Sequence, residues 1–390
     1  MTRASGRIRV LNIFSDLEHS KTFELTAKHL DLDRFDFRVL VLNPASRGVV
    51  PLERYFRSLG IPTQAWDFAG RIDYIATLRR LRRHLKTEKY HVVHTHLMWA
   101  CYLGMPAAWM VGVPRRLMTR WHATVHHREH PSGLKYDRLV NRLATHIITP
   151  GAVTYRIVTE WEHVPPHKVT LLSPPLDVDT FSAPPRDEVA IVRARYNPHG
   201  RFPVIGVIAR WVEWKGVQYV IPAVERLLER YPDLLLLLFN AVGAYGESLR
   251  PLLSRLPERN YRVVEFEPLN EALYQLFDVF VHVPVDEFVE NTGGVYSEAL
   301  AAGVPSVFTM SGVVTGMVRH MEHCYIVPYR DSEKIYEGIR TLVDNRELAR
   351  HMGSQAQTLL AGQLRPEAHV AALQQLYAAG LEQATHNPAV

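Results

Sequence analysis

Residues 277–309 read FDVFVHVPVDEFVENTGGVYSEALAAGVPSVFT, and this stretch decides the fold. The apolar, β-rich run 277–283 predicts a strand buried on both faces, and 304–309 predicts a second. Between them, a polar loop and the glycines of 292–294 precede a short helix predicted over 295–302. Strand, helix and strand in this order form one parallel βαβ unit. Its loop and helix N-terminus lie at the carboxyl ends of the strands, where open α/β sheets bind ligands.

The start of the predicted helix favours an anion, because unpaired N–H groups and the helix dipole point out of it. Gly293 and Gly294 allow the backbone to approach a ligand closely. Two carboxylates frame the same place, Glu290 in the preceding loop and Glu298 just over one turn inside the helix. Phosphate on the amides and hydroxyls on the carboxylates is the pattern that a nucleotide sugar requires. The alternative interpretation is a sheet-packing helix with two solvated glutamates.

A second βα turn carries two cations at a spacing suited to a diphosphate. The strand that begins at Val204 delivers Arg210 to its carboxyl end, and Lys215-Gly216 precedes a helix predicted over 217–230. Arg binds phosphate through a planar fork, and Lys binds it as a point charge. Two surface cations at an ordinary turn are the alternative interpretation.

These two segments resemble one known family. Glu290, seven intervening residues and Glu298-Ala-Leu-Ala-Ala-Gly-Val-Pro are similar to the E-x7-E signature of the family-4 retaining glycosyltransferases, or glycosyl transferases group 1. Arg210, four residues and Lys215-Gly216 are similar to that family's Arg-x4-Lys-Gly pair. The resemblance covers nearly the whole chain and implies the GT-B fold, in which two Rossmann-like domains with parallel sheets face each other across a cleft.

The predicted fold class is therefore α/β, and the alternation of strand and helix patterns along the chain agrees with it. A length of 390 residues suits two domains. We expect an N-terminal acceptor-binding domain over residues 1–182 and a C-terminal nucleotide-sugar-binding domain over 183–364, with a Pro-rich, polar boundary between them. By resemblance, a last helix within 365–390 crosses back onto the N-terminal domain.

The resemblance also implies roles for the residues of the donor site. Glu290 lies beside the donor sugar, where it orients the sugar, and Glu298 holds the ribose. Arg210, Lys215 and the amides of Gly293-Gly294 neutralise the departing diphosphate. These residues are the predicted catalytic and donor-binding set.

Four further positions follow from the same resemblance. Thr292 replaces the aromatic residue that usually precedes the first glycine of the signature. The loop that contains Glu267 and Leu269 lies near the nucleotide base. His122 follows a strand of the N-terminal domain and faces the reacting sugar, so it joins the predicted catalytic residues.

The predicted reaction transfers a hexosyl unit from a UDP- or GDP-linked sugar to an acceptor hydroxyl, with retention of configuration. Breaking the glycosidic bond leaves negative charge on the diphosphate, and preorganised cations and amide dipoles stabilise that charge. Neither a metal ion nor a cofactor is expected, because the cations at the βα turn take the charge. By resemblance, the acceptor is a glycan or a lipid-linked molecule, and the setting is surface polysaccharide or lipid-linked glycan assembly.

Two departures from the family keep other interpretations open. The first loop, 15–21, lacks the family's usual Gly-Gly pair, and 240–246 lacks its Gly-Asp-Gly turn. A sugar-nucleotide-binding protein without catalysis is therefore one alternative. A GT-B phosphorylase or a nucleotide-sugar epimerase is another. A Rossmann dehydrogenase is disfavoured, because no G-x-G-x-x-G follows the first predicted strand.

Metal sites are the weaker interpretation of two motifs. His91, His94 and His96 lie close together in sequence, but no carboxylate or cysteine accompanies them at ligand spacing. Asp177-Val-Asp179 has the form of a DxD motif, yet it aligns with the segment that closes the first domain. We therefore expect no metal ligands among these residues.

Composition indicates an ordinary globular chain. Apolar residues make up 47% and charged residues 22%, and no apolar run approaches the ~20 residues of a membrane span. The chain begins without the apolar core and cleavage site of a secretory signal. Cys101 and Cys324 lie far apart in apolar sequence, which is typical of reduced, buried thiols. These features predict a cytoplasmic protein.

Charge is concentrated in the first half of the chain. Residues 1–172 contain 26 Lys and Arg against 14 Asp and Glu, whereas the remainder contains 19 against 26. The basic residues cluster within 71–89, where apolar residues at helical spacing predict a basic amphipathic helix. Peripheral contact with an anionic membrane, at the inner face of the plasma membrane, is one interpretation, and a solvated helix face is the other. Nucleic acid is disfavoured as a partner, because no recognition motif accompanies the charge.

Overall fold

The structure is a computed structural model that describes residues 6–381. The chain divides into two compact units, Met1–Pro175 with Pro366–Val390, and Leu176–Arg365. The predicted lack of a secretory signal concerns in part residues 1–5, and these, like 382–390, lie outside the described residues. None of the helices in residues 6–381 is both long and apolar enough to cross a membrane.

The first unit is built on a parallel sheet. Its strands are β1 (Ile8–Ser15), β2 (Phe35–Asn43), β3 (Thr63–Asp67), β4 (Val92–His96), β5 (Arg115–Thr119), β6 (His146–Thr149) and β7 (Val169–Leu171). They lie in the order β3-β2-β1-β4-β5-β6-β7. The connecting helices are α1 (Lys21–Lys28), α2 (Pro51–Ser58), α3 (Tyr74–Glu88), α4 (Met98–Met110), α5 (Val125–Arg128), α6 (Leu134–Leu143) and α7 (Ala152–Arg156), which continues as a π-helical stretch over Ile157–Trp161.

The second unit repeats this architecture. Its strands are β8 (Val204–Ile208), β9 (Leu235–Phe239), β10 (Tyr261–Val264), β11 (Val279–His282), β12 (Ser306–Phe308) and β13 (Tyr325–Ile326), in the parallel order β10-β9-β8-β11-β12-β13. Its helices are α8 (Val178–Ser182), α9 (Arg186–Tyr196), α10 (Val217–Arg230), α11 (Gly246–Leu253), α12 (Asn270–Leu273), α13 (Gly294–Ala301), α14 (Ser332–Asp344) and α15 (Arg346–Gln363). Two parallel-sheet, Rossmann-like units are thus present, as the sequence predicts.

Burial explains why the central strands form where they do. Strand β9 has the sequence LLLLF and β8 the sequence VIGVI, and every residue of both strands is buried. Such continuous apolar runs are typical of strands covered by helices on both faces. Because the strands are parallel, their carboxyl ends meet at one edge of each sheet, and the loops that follow them are neighbours there.

The boundary between the units differs from the predicted one. We expected the first domain to end at residue 182, whereas the first unit ends at Pro175. The physical reason is α8, whose Phe181 is 7% exposed and lies edge-on to Tyr274 in the core of the second unit. Gln275 also donates a hydrogen bond from Nε2 to the carbonyl oxygen of Phe181. The prolines that predicted a linker therefore follow a helix that already belongs to the second unit.

The last helix, α16 (Pro366–Ala378), is part of the first unit. The carbonyl oxygen of Leu376 accepts a hydrogen bond from Arg115 at 2.7 Å, and Gln374 accepts one from the Asp31 amide at 2.8 Å. The hydroxyl of the fully buried Tyr377 lies 2.9 Å from Nδ1 of His94. Residues 366–378 therefore complete the core of the unit that contains the N-terminal strands.

Candidate active site

Glu290 and Lys215 form an ion pair at the carboxyl edge of the second sheet. Strands β8 and β11 are parallel neighbours, so the loops after them run side by side although their residues are 75 positions apart in sequence. Nζ of Lys215 bonds Oε1 of Glu290, and the two side chains are 12% and 6% exposed. The two residues that the sequence predicted for sugar and diphosphate are therefore brought into direct contact.

His282, the last residue of β11, is a second hydrogen-bond partner of the Glu290 carboxylate. Its Nε2 lies 3.0 Å from Oε1 of Glu290, and its side chain is fully buried. Burial would raise the pKa of Glu290, but the hydrogen bond from His282 and the charge of Lys215 outweigh it and lower that pKa to about 2. Glu290 is thus an anion at neutral pH, and Nε2 of His282 donates to it. His282 was not predicted as a site residue, although its place at the end of a strand beside the signature was a usable signal.

Two glycines allow the backbone to hold this pair. Gly216, with φ +76°, follows Lys215, and a Cβ there would lie 1.9 Å from the carbonyl oxygen of Val283. Gly312, with φ +64°, packs against the backbone of Thr292, where a Cβ would lie 2.8 Å from the carbonyl oxygen. Both approaches exclude any side chain, so the glycines fix how closely the loops pack.

Glu298 lies half-buried just over one turn inside α13 and has two neutral partners. The hydroxyl of Tyr274 donates to its Oε2 at 2.7 Å, and Nδ2 of Asn270 lies 3.3 Å from the same oxygen. Burial raises the pKa of Glu298 because no cation offsets the cost of its charge. The oxygens of this carboxyl group can accept hydrogen bonds from hydroxyl groups, as a ribose site requires. Tyr274 and Asn270 are further site residues that the sequence analysis did not single out.

The start of α13 has the geometry predicted for it. Gly293 caps the helix in the left-handed region with φ +59°, and the helix begins at Gly294. The carbonyl oxygen of Thr292 accepts a hydrogen bond from the Val313 amide at 2.9 Å, so its backbone ties the helix start to the next loop. The first amides of α13 are among those that a helix leaves unpaired.

Arg210 and Glu267 differ sharply in their surroundings. Arg210 is exposed after β8, and its guanidinium makes no hydrogen bond with the residues that the structure describes. Glu267 is 7% exposed and fully engaged, by Arg195, by the Tyr196 hydroxyl at 2.6 Å and by the amide of Leu269 at 3.0 Å. The carboxylate of Glu267 is therefore held by protein groups, whereas the neighbouring Phe266 is 78% exposed in the same loop.

In the first unit, His122 belongs to a buried polar cluster. Its Nε2 lies 3.1 Å from Oδ2 of Asp137, and the same oxygen lies 2.6 Å from Nδ1 of His126 and 2.7 Å from Nη2 of Arg120. Arg120 also bonds Oε1 of Glu162 at 2.5 Å. Of this cluster, His122 alone was predicted as a site residue, because its partners come from another helix and from residues with no local motif.

His122, His126 and Asp137 could in principle hold a metal ion, since one ligand atom of each lies within 4.8 Å of the others. However, the guanidinium of Arg120 is already bonded to the Asp137 oxygen that would bind the ion. A second cation there would be repelled by this charge. The donor set therefore suits a guanidinium better than a dication.

His91, His94 and His96 each form a hydrogen bond with another residue of the first unit. Nε2 of His96 bonds Oδ1 of Asn12 at 3.0 Å, and Nε2 of His94 bonds the Thr119 hydroxyl at 2.8 Å. Nδ1 of His91 accepts from the amide of Arg9 at 3.0 Å. These hydrogen bonds connect neighbouring segments of the sheet, and the contact of His94 with Tyr377 connects the sheet to α16.

Sequence profiles of known protein families match both halves of the chain. The sequence profile described as Glycosyl transferases group 1 matches residues 190–359, and the profile described as Glycosyltransferase Family 4 matches residues 27–180. The D-inositol 3-phosphate glycosyltransferase of Corynebacterium glutamicum (strain R) is 28% identical over 203 residues, which are 49% of this chain and 47% of that protein.

A second relative is the GDP-mannose-dependent alpha-(1-6)-phosphatidylinositol monomannoside mannosyltransferase of Mycolicibacterium smegmatis, which is 31% identical over 189 residues. These are 47% of this chain and 49% of that protein, so the matches span about half the length of both relatives. Among solved structures, Anabaena Alr3699/HepE in complex with UDP superposes with a TM-score of 0.80 at 15% identity, over 95% of this chain and 100% of that one. The two profiles and this shared fold show that the chain belongs to the group 1, family-4 glycosyltransferases of the GT-B fold.

Proposed function

We propose that the protein transfers a hexosyl unit from a nucleoside diphosphate sugar to an acceptor hydroxyl, with retention of configuration. The observation that supports this most strongly is the Lys215–Glu290 ion pair beside the N-terminus of α13. A cation, a carboxylate and unpaired helix amides at one sheet edge match the charges of a diphosphate joined to a sugar.

In this proposal, donor binding rearranges the ion pair. The diphosphate takes Lys215, Arg210 and the first amides of α13, and Glu290 turns from the ammonium group to the sugar hydroxyls. His282 keeps Glu290 ionised and in place while Lys215 leaves it. As the glycosidic bond breaks, charge grows on the diphosphate, and these fixed groups stabilise it without a metal ion.

We further propose that Glu298 binds the ribose, and that the first unit supplies the acceptor site and His122. A lipid-linked or glycan acceptor is supported by the Mycolicibacterium relative, which is described as a phosphatidylinositol monomannoside mannosyltransferase. The donor is UDP- or GDP-linked, in line with the UDP complex of Anabaena HepE and the GDP-mannose dependence of that relative.

Contact with an anionic membrane on its cytoplasmic side is supported by the surface of α3. The basic residues Arg79, Arg82 and Arg83 are exposed on this helix. Ile72, two residues before this helix, and Ile75, in its first turn, are 92% and 54% exposed. Cations beside exposed apolar side chains are typical of helices that lie on a lipid surface.

The test is a donor panel followed by a transfer assay. We expect UDP or GDP and one of their sugars to raise the unfolding temperature, because binding stabilises the folded state by mass action. The stabilising donor should then transfer its sugar to lipid or glycan acceptors with retention, as read by NMR of the product. Phosphate-dependent turnover or epimerisation without acceptor would support a phosphorylase or epimerase instead, and binding without sugar release would support a non-catalytic protein.

A further inference from the structure

Asp137 is the centre of the buried polar cluster in the first unit. It is 0% exposed, and its Oδ2 is within hydrogen-bond distance of donors on Arg120, His122 and His126. Its other oxygen, Oδ1, accepts from the hydroxyl of Tyr102 at 2.9 Å. Burial would raise the pKa of Asp137, but the hydrogen bonds of the two histidines and the charge of Arg120 keep it far below its usual value. Asp137 is therefore an anion that only accepts.

The anion fixes which nitrogen of His122 carries a proton. A carboxylate has no hydrogen to give, so Nε2 of His122 must donate across the 3.1 Å contact. Burial and the charge of Arg120 lower the pKa of His122 to about 4, so the ring is neutral at physiological pH. A neutral imidazole with a proton on Nε2 has a lone pair on Nδ1.

The lone pair on Nδ1 of His122 is unused within residues 6–381, where no hydrogen bond to this atom is formed. The side chain of His122 is 21% exposed, whereas that of His126 is 6% exposed. The ring of His126 also lies against Gly133, where a Cβ would come within 2.3 Å of it. Of the two histidines on Asp137, only His122 is accessible to a substrate.

The backbone near His122 is strained at Leu97. Leu97, the residue between β4 and α4, has φ 70° and ψ 164°, a region that is almost restricted to glycine. Leu97, His122 and Asp137 line the same small pocket. Strained backbone of this kind persists where the surrounding structure over-determines it, and it clusters at active sites.

We propose that Asp137 is a positioning residue that holds His122 as the Nε2–H tautomer, so that Nδ1 accepts a hydrogen bond from a substrate hydroxyl. This inference rests on the proposed function. It excludes a contact between Nδ1 and the diphosphate, because a lone pair repels an anion. The hydroxyl belongs either to the transferred sugar or to the acceptor, and kinetics separate these two sources.

The tautomer is measured directly by nitrogen-15 NMR of the full-length protein with labelled histidine. We expect a protonated Nε2 and an unprotonated Nδ1 for His122 at neutral pH. The Asp137→Asn variant should shift His122 towards a mixture of tautomers. The matched control is Glu162→Gln, which alters the other carboxylate on Arg120 but should leave the Nε2–H tautomer of His122 intact. A proton on Nδ1 in the parent protein would overturn the proposal, whether or not the protein transfers sugar.

Substitution of His122 tests whether the contact with the substrate hydroxyl depends on Nδ1 or on Nε2. The amide oxygen of His122→Asn reaches the place of Nδ1, whereas that of His122→Gln reaches the place of Nε2. We expect His122→Gln to lose about tenfold in kcat/KM, the value of one hydrogen bond, and His122→Asn to lose less than His122→Gln. The reverse order would overturn the proposal.

The source of the hydroxyl follows from donor hydrolysis in the absence of acceptor. If the sugar provides it, His122→Gln slows hydrolysis and transfer alike. If the acceptor provides it, only transfer slows. Equal rates of both reactions in His122→Gln and the parent would refute the contact, and the affinity for nucleotide, measured by calorimetry, should be unchanged in every variant.

Discussion

The replacement of Lys215 by methionine tests the ion pair at the centre of the donor site. The substitution keeps much of the side-chain length and removes the charge, so His282 is the side-chain partner that the Glu290 carboxylate retains among residues 6–381. The depression of the Glu290 pKa from 4.5 to about 2 corresponds to about 3 kcal/mol of stability. The hydrogen bond from His282 is the largest of the contributions that lower this pKa, and Lys215 adds both its charge and a hydrogen bond, so we expect Lys215→Met to cost about 1–2 kcal/mol at pH 7.

The pH dependence of this loss has a definite sign. A carboxylate with a depressed pKa in the folded state contributes stability above its unfolded pKa, and this contribution disappears as the pH falls through the folded value. The deficit of Lys215→Met should therefore be complete above about pH 5 and shrink as Glu290 takes up a proton at lower pH. Calorimetric unfolding at several pH values measures it and separates the transitions of the two units.

The same variant should lose transfer activity by about 10²–10³-fold, as happens when one group that stabilises transition-state charge is removed. Lys334→Met is the matched control, because it breaks an exposed ion pair with Glu337 on α14. An exposed pair of this kind adds little to stability, so its loss should change the free energy of unfolding far less than Lys215→Met does and should leave transfer within twofold. If Lys215→Met matched the parent in both stability and transfer, the assignment of Lys215 would be refuted.

Three further predictions concern other parts of the chain. Tyr274→Phe removes the hydroxyl that bonds Glu298, so calorimetry should show nucleotide affinity about tenfold weaker with little loss of stability, and unchanged affinity would contradict the ribose role. Burial lowers the pKa of His94 to about 3 and that of His369 to about 4, so both contribute stability above pH 6.5 that is lost as the pH falls. The unfolding temperature should drop between pH 6.5 and 4, and it should drop less steeply in His369→Gln than in the parent. Equal slopes in the two proteins would count against buried histidine as the cause of the drop. Substitution of the arginines within 71–89 by glutamine should abolish flotation with anionic vesicles at low salt, and retention of flotation would exclude this helix as the membrane contact.

Strong local periodicity made much of the fold predictable from sequence. Helix α10 was expected over 217–230 and is observed as Val217–Arg230, because its apolar face and the preceding Gly216 are both local signals. Strand β3, with the sequence TQAWD, was missed because only Trp66 is buried in it. Helix α9 was missed for a similar reason, since Val192 is its buried residue and the rest of its surface is polar or half-exposed.

The candidate site was predictable as far as its motifs are local. The spacing of Glu290 and Glu298 and the turn at Lys215 indicated the donor site. The contact between Lys215 and Glu290 was not foreseen, since it depends on two strands being neighbours in the sheet. Partners from other elements, such as Tyr274 on Glu298 and Asp137 on His122, lie outside any motif and became visible only in the fold.

The most direct test of the central claim is a crystal structure of the protein soaked with UDP or GDP. We expect the diphosphate to lie between the Arg210 guanidinium, the Lys215 ammonium and the first amides of α13, with the ribose hydroxyls on Glu298. Lys215 should then have moved from Glu290 to a phosphate oxygen. A diphosphate bound away from Arg210 and Lys215, with the Lys215–Glu290 pair intact, would contradict the account.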